Sequence, residues 1–137
     1  DLTALMRDEA VTPAHEQYRL VSTRFPSETG ETPVAEITLS IGGTESRTRA
    51  EGSGPVDAAF KAIESVAASG SELLLYSVNA ITTGTDAQGE VTVRLSRDGR
   101  VMDGQGADTD IIVASAKAYL NALNKLHAGA ERLNPQV

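Results

Sequence analysis

Two stretches, "EITLSIGGTESRTRAEGSG" (residues 36–54) and "EVTVRLSRDGRVMDGQG" (residues 90–106), follow the same plan. In each, alternating apolar and polar residues predict a strand, a glycine-containing turn follows, and a return strand ends in Gly-x-Gly just before a helical pattern. The paired glycines are Gly52 and Gly54, then Gly104 and Gly106. This recurrence indicates an internal duplication, with a chance repetition of hairpin and helix as the alternative. We therefore expect two similar units.

A further strand precedes each hairpin. Residues 16–25, "EQYRLVSTRF", alternate in polarity, whereas residues 72–82, "ELLLYSVNAIT", are apolar enough to be a central strand. The strand at residues 45–51 is polar and is expected to be partly exposed. Each unit then has three strands and one helix. The fold class is α+β, with two pseudo-symmetric βββα units in which antiparallel sheet packs against helices.

The two helices have apolar residues at helical spacing. The first is expected to begin at Pro55 and to end at Gly70, and its apolar residues are Val56, Ala59, Phe60, Ile63, Val66 and Ala67. The second is expected from about Thr109 to Leu126, with Ile112, Ala116, Tyr119, Leu120, Leu123 and Leu126 on one side. A turn is expected at residues 84–89. Residues 2–9 predict a short helix, which a proline-containing linker follows.

The composition excludes several classes of function. A formal charge of -7 and a pI of about 4.7 argue against binding to nucleic acid, which needs clustered Lys and Arg. No apolar run approaches the length of a membrane span, and residues 1–10 do not resemble a signal peptide. The absence of cysteine agrees with a reducing compartment, so we expect a cytoplasmic protein. Because the chain begins at Asp1 without methionine, we expect it to be part of a longer protein.

No catalytic motif is present in the sequence. There is neither a Gly-x-Ser-x-Gly elbow nor a Walker-type Gly-Lys-Ser/Thr sequence. His15 and His127 lack spaced partners for a metal and are expected to be solvated. The acids between Asp103 and Asp110 lack the spacing and the terminal Glu of a calcium loop. We therefore predict no catalytic residue, no metal site and no cofactor in this chain.

The segment "GSGPVDAAFKAI" (residues 52–63) predicts a helix start with exposed amides. Gly54 suits the N-cap, Pro55 the first helical position, and Asp57 the first turn. Helix-start chemistry alone explains Pro55 and Asp57, but it explains less well why Gly52 and Ser53 precede the cap. Such a helix N-terminus is a ready anion site.

A second turn, "GQGADTD" (residues 104–110), repeats the arrangement, with Asp108 or Thr109 as the cap and Asp110 in the first turn. Two such turns close together would offer amides to a carboxylate and side-chain acids to an ammonium group. A free amino acid carries both groups. The sequence therefore favours an amino acid as the ligand.

Three motifs in order carry a resemblance to a known family. They are "EGSGPVDAAFKAI", "YSVNAITTGTDAQGEVTVRL" and "GQGADTDIIVASAKAYLNALNKL", and the similarity covers residues 16–128. The chain resembles the C-terminal regulatory domains of 2-isopropylmalate synthases. The resemblance implies that residues 1–14 end a helical linker to a catalytic domain and that residues 15–137 form the regulatory, effector-binding domain. It also implies a homodimer that binds leucine as a feedback inhibitor.

What the family implies for the rest of the protein lies outside this chain. Full-length members condense acetyl-CoA with 2-oxoisovalerate in a (β/α)₈ barrel that uses a divalent metal. The metal-binding residues of that barrel are absent from this sequence, so the chain itself is expected to be catalytically inactive. Its expected partners are leucine, a second copy, and the catalytic barrel of the same polypeptide.

The resemblance also implies the residues of the leucine site, where the glycine-rich turns approach the dimer partner. They are Gly52, Ser53, Gly54, Pro55, Val56, Asp57, Leu73, Leu75, Tyr76, Ala80, Asp110 and Ile111. Many members have Asp or Asn where this chain has Ser53, so the part that position takes in binding the ammonium group differs here. Two alternatives stay open: the isoleucine-binding regulatory domain of citramalate synthases, and a purely structural dimerisation module.

Overall fold

The computed structural model describes the backbone of residues 16–83 and 86–133, and the side chains within those ranges except at 80–87 and 129–133. The elements, in chain order, are β1 Tyr18–Arg24, β2 Val34–Ile41, β3 Thr44–Glu51, α1 Pro55–Ala67, β4 Glu72–Thr83, β5 Asp86–Arg97, β6 Arg100–Asp108 and α2 Ile111–Leu133. The helix predicted at residues 2–9, the proposed linker 1–14 and His15 lie outside the described residues.

The strands form two antiparallel three-stranded sheets, in the orders β1-β2-β3 and β4-β5-β6. Each sheet is followed in the chain by a helix, which confirms the predicted pair of βββα units. The first helix, α1, packs on β2 and β3, while α2 packs on β5 and β6 and also reaches β1. The largest fully buried side chains lie between these layers: Ile37, Leu39, Ile63, Leu95, Leu123 and Leu126.

The second glycine pair fixes how closely α2 approaches its sheet. A Cβ on Gly104 would overlap the backbone of Ala118 and Ala122, and one on Gly106 would lie 2.6 Å from the amide nitrogen of Ala118. Both glycines lie inside β6 rather than in a turn before the helix. The expectation that they repeat the helix-start arrangement is therefore wrong, because close helix packing, not a turn, requires them.

Polar side chains join the two units. The amide of Asn124 on α2 bonds the backbone of Gln17 and Tyr18 at the start of β1. The Tyr119 hydroxyl donates to a carboxylate oxygen of Glu64 on α1, at 3.0 Å. Burial is the main cause that raises the pKa of Tyr119 well above its ordinary value, with the nearby Glu64 adding to it. The hydroxyl therefore stays protonated and holds α1 to α2.

Several predicted boundaries differ from the structure. The apolar strand β4 lies at the edge of its sheet, not in the centre. Strand β5 begins at Asp86 rather than after residue 89, so part of the expected turn is strand. Helix α1 ends at Ala67, and Ala68 takes the left-handed C-cap position that was expected of Gly70. The C-cap falls there because the amide of Ala68 bonds the carbonyl of Glu64.

Candidate functional site

The start of α1 leaves backbone amides uncovered. Gly54 is the N-cap in an extended conformation and has no side chain to cap the helix, and Pro55 follows at the first position. The amides of Val56 and Asp57 fall in the first turn, where no helical carbonyl can reach them. No hydrogen bond within the described residues uses either amide. This helix N-terminus therefore leaves two backbone amides uncovered, as the sequence predicted.

The two glycines of this turn, Gly52 and Gly54, differ in whether the surrounding chain leaves room for a side chain. A Cβ on Gly52 would overlap the backbone nitrogen of Ala58 and lie 2.6 Å from a carboxylate oxygen of Asp57. Its own amide donates to the carbonyl of Pro33 at 3.1 Å. Packing within the chain thus explains Gly52. A Cβ on Gly54, in contrast, would meet no atom within 4 Å.

The Asp57 carboxylate folds back over the turn. Its Oδ2 accepts a hydrogen bond from the Ser53 amide at 2.9 Å and lies 3.1 Å from Nζ of Lys61. The hydrogen bond from Ser53, followed by the one from Lys61, holds the pKa of Asp57 below its ordinary value of 3.8. The second oxygen, Oδ1, has no partner among the described residues, and the side chain is 40% exposed. A charged acceptor thus stands beside the open amides.

The start of α2 is closed by its own side chains. Asp110 precedes the helix, and its Oδ1 accepts from the amide of Ile112 at 2.8 Å. Asp110 is therefore the N-cap itself, which corrects its predicted place in the first turn and the predicted caps Asp108 and Thr109. Asp108 accepts from the Asp110 amide, which is the largest cause of its lowered pKa, and from Lys117. The two helix starts are thus chemically different.

Tyr76 connects three elements on the helix side of β4. Its hydroxyl lies 2.7 Å from Oγ of Ser115 on α2, and its ring meets Phe60 of α1 edge-on at 5.9 Å. Neither Phe60 nor Ser115 was among the predicted site residues. A signal for Phe60 existed in the helical stripe, but nothing in the sequence indicated that Ser115 pairs with a tyrosine.

The predicted strand wall is divided between two faces. Leu73 pairs with buried Leu95 on the helix side, whereas Leu75 pairs with Arg94, whose side chain bonds Asp103 on the outer face. A bulge between Leu73 and Leu75 causes this change of face. Within one chain, Leu75 therefore does not share a surface with Tyr76.

The remaining predicted residues lie near the start of α2. The side chain of Ile111 covers Gly89 of β5, where an added Cβ would overlap it. Gly89 pairs with Ala80 of β4, whose side chain lies outside those described. Ile111 and Ala80 are thus brought close, but no hydrogen bond or ion pair in the described part of the chain joins Asp110 to the glycine turn.

Exposed apolar side chains on β4 extend beyond the predicted set. Leu73, Leu74, Leu75 and Val78 are each between 38% and 49% exposed. Leu73 and Leu75 are among the predicted site residues, whereas Leu74 and Val78 are not. The unbroken apolar run of residues 73–75 is the signal for Leu74 in the sequence, but such a run also predicts a central strand.

The remaining sequence predictions concern His127, metal sites and membrane spans. His127 is half-buried with its ring edge-on to Tyr18, at 6.4 Å between centroids, which corrects its predicted solvated position. Among the side chains that the structure describes, no three from His, Asp or Glu group as a metal site would require. No helix in the described part is long and apolar enough to span a membrane.

Comparison with known proteins gives a consistent result. The model of the LeuA allosteric (dimerisation) domain matches residues 1–127. Proteins named 2-isopropylmalate synthase match over nearly the whole chain: those of Aromatoleum aromaticum at 77% identity over 137 residues, Dechloromonas aromatica at 63% over 136 and Thiobacillus denitrificans at 63% over 137. These matches include 99–100% of this chain but only 26–27% of the length of each relative.

Proposed function

The chain belongs to the family of LeuA allosteric (dimerisation) domains, and from this premise we propose that it is the leucine-binding, feedback-regulatory domain of a 2-isopropylmalate synthase. It acts in the cytoplasm as a homodimer. Three of its relatives carry that enzyme name over the matched region. The leucine site lies at the start of α1 and is completed by a second copy.

One observation carries the proposal: the open amides of Val56 and Asp57 stand beside a carboxylate oxygen that has no partner in the described chain. The amides suit the carboxylate of a free amino acid. The unpaired Oδ1 of Asp57 suits its ammonium group, since a charge-assisted hydrogen bond is stronger than a neutral one. Gly54 keeps the approach open, because no side chain projects there.

The apolar side chain of the ligand needs a wall that one copy supplies only in part. Leu73 and Val78 are exposed on the helix side of β4, next to Tyr76. A second copy closes this surface over the ligand, which couples effector binding to dimerisation. We assign Asp110, at the second helix start, to the remaining side of the ligand, because its Oδ2 has no partner within the described residues.

The activity of the whole protein is part of the proposal. The relatives are nearly four times longer than this chain, and the condensation of acetyl-CoA with 2-oxoisovalerate belongs to their remaining part. That part holds the divalent metal. The present chain contributes inhibition by leucine and no catalysis, so the isolated chain is expected to release no free coenzyme A from acetyl-CoA and 2-oxo acids.

Titration calorimetry with leucine, isoleucine and valine tests the proposal. Leucine is expected to bind most tightly, and isoleucine more weakly by about 1–3 kcal/mol, because one shifted methyl group changes pocket contacts by that amount. Preference for isoleucine would instead identify the domain of a citramalate synthase. Absence of binding by all three in a folded dimer would leave only a structural dimerisation module.

A further inference from the structure

Each sheet has two outer strands, so the molecule has four sheet edges: β1, β3, β4 and β6. An outer strand has backbone groups that can pair with another chain, and soluble proteins protect such edges with side chains, bulges or charges. Three of the four edges are bonded by side chains of α2 or carry a row of charges in the described residues.

The edge of β1 is bonded to Asn124 of α2. The Asn124 Oδ1 accepts from the amides of Gln17 and Tyr18 at 2.9 and 2.8 Å, and its Nδ2 donates to the carbonyl of Tyr18 at 2.8 Å. A bulge between Leu20 and Ser22 interrupts the strand further. The start of this edge is therefore bonded to the chain's own second helix, and the bulge interrupts the rest of the strand.

The edge of β6 is also hydrogen-bonded by side chains of α2. Asn121 of α2 accepts from the amide of Gln105 at 3.0 Å, and Lys125 donates to the carbonyl of Asp103 at 2.9 Å. The edge of β3 is protected by charge, since its outward residues are Glu45, Arg47, Arg49 and Glu51.

Within the part of the chain that the structure describes, the edge of β4 has neither such hydrogen bonds nor charged residues along residues 73–79. Beyond the bulge at Leu74, its register with β5 is unbroken from Leu75 to Thr83. No side-chain hydrogen bond in the described residues reaches its backbone, and residues 73–79 carry no Lys, Arg, Asp or Glu. Four of the six exposed large apolar side chains of the described chain lie on this strand.

The lengths of the helices explain this difference. Helix α2 has 23 residues and reaches across to cover the edge strand of the first unit. Helix α1 has 13 residues and ends at Ala67, and it makes no comparable clamp on β4. The second unit thus lacks the cover that the first unit receives from within the chain.

We propose that β4 pairs edge to edge with β4 of a second copy, antiparallel about a twofold axis, so that two sheets join into one of six strands. The proposal rests on the proposed dimerisation and assigns its contact. Residues 75–83 give ~30 Å of strand to pair. In a chain of net charge -7, this is the stretch where two copies meet without opposing like charges. A twofold antiparallel pairing is self-complementary, as a closed dimer requires.

The strand alone is smaller than the ~800 Å² per partner of a standard interface. Helix α1 reaches β4 through the edge-on contact of the Phe60 ring with Tyr76, at 5.9 Å between centroids, so we expect α1 to contribute to the interface and its first turn at Gly54 to face the second copy. The leucine site and the strand pairing then form one continuous contact.

The chain has no cysteine, so single-cysteine variants test the pairing without background. Each position from 75 to 83 is changed to Cys in turn, except Tyr76, which is partly buried against the core. Across an antiparallel twofold, residues nearest the axis have Cβ atoms close enough for a disulfide. Under mild oxidation we expect covalent dimers from positions next to the axis and a fall away from it. Val21→Cys on β1 and Val101→Cys on β6, which are 40% and 50% exposed, are the controls and should stay uncrosslinked.

The outcomes are distinct. Wild-type chain that sediments as a monomer would overturn dimerisation itself. Wild-type dimer with no crosslink from β4, or with equal crosslinking from the β1 and β6 controls, would overturn the strand pairing alone. As a second measure, Val78→Lys should weaken the dimer at least tenfold while Val101→Lys leaves it unchanged, with circular dichroism showing that both variants fold. Equal dimer affinity for the two lysine variants would also overturn the pairing.

Discussion

The fold of a single chain does not require glycine at position 54. A Cβ added to Gly54 would meet nothing within 4 Å, and its φ of -157° suits any residue. Gly54→Val should therefore lower stability by only about 1 kcal/mol, as a poorer cap does. Leucine affinity should fall more than tenfold, because the side chain blocks the open amides. Calorimetry and urea unfolding measure the two effects.

Gly52→Ala is the matched control for Gly54→Val, because its Cβ would collide with Ala58. It should cost more stability, in the range of 1–3 kcal/mol typical of overpacking. If Gly54→Val binds leucine as the unchanged chain does and only melts earlier, the glycine turn is a helix start and nothing more.

Asp57 links ligand binding to pH. Its folded pKa is lowered, so its contribution to stability is present above the unfolded pKa and is lost as pH falls through the folded value. Asp57→Asn should remove that part of the acid dependence and cost roughly 1.5–3 kcal/mol of leucine binding. Unfolding series between pH 2 and 6 compare the two chains. Parallel acid profiles with equal leucine affinity would show that this carboxylate has neither role.

At this scale the sequence predicted the α1 start well, because capping is a local matter of adjacent residues. It misjudged Asp110, which serves as N-cap by accepting from Ile112. The error arose because Asp108, Thr109 and Asp110 each suit a cap, and only the path of the backbone selects one. The pairing of Tyr76 with Ser115 was also hidden, since contacts across 39 residues leave no local pattern.

Among the elements, the packing of α2 on β6 depends on two glycines within the strand. Gly106→Ala would place a Cβ against the backbone of Ala114 and Ala118. We expect a loss of about 1–3 kcal/mol in the free energy of unfolding, as is usual when a tight contact is overpacked. Thermal unfolding checks it, with Gly54→Ala as the control in open space. Equal melting temperatures for the two variants would contradict the close approach.

The sequence predicted the number and type of elements in residues 16–133 and the two βββα units, because periodicity reports which faces are buried. It did not predict that β4 is an outer strand. An apolar run predicts that both faces of the strand are buried. It does not show whether the residues that bury them belong to the same chain or to a second copy. The exposed Leu74 and Val78 show that here it does not.

For the whole molecule, the uncovered edge of β4 and the acidic charge lead to one expectation in solution. The chain should sediment as a dimer at micromolar concentration, since four of the six exposed large apolar side chains in the described part of the chain lie on β4. The domain division at residue 14 stays a prediction, because that segment lies outside the described residues. Sedimentation velocity showing only monomer would contradict the assigned role in dimerisation.

The most direct test of the central claim is an amide NMR titration of the folded chain with leucine. If the α1 start holds the leucine carboxylate, the amide protons of Val56 and Asp57 should show the largest saturable shifts, moving downfield as they gain a charged acceptor. The same titration of Gly54→Val should leave both signals in place. Saturable shifts confined to other parts of the chain, or none at leucine concentrations that saturate binding by calorimetry, would contradict the claim.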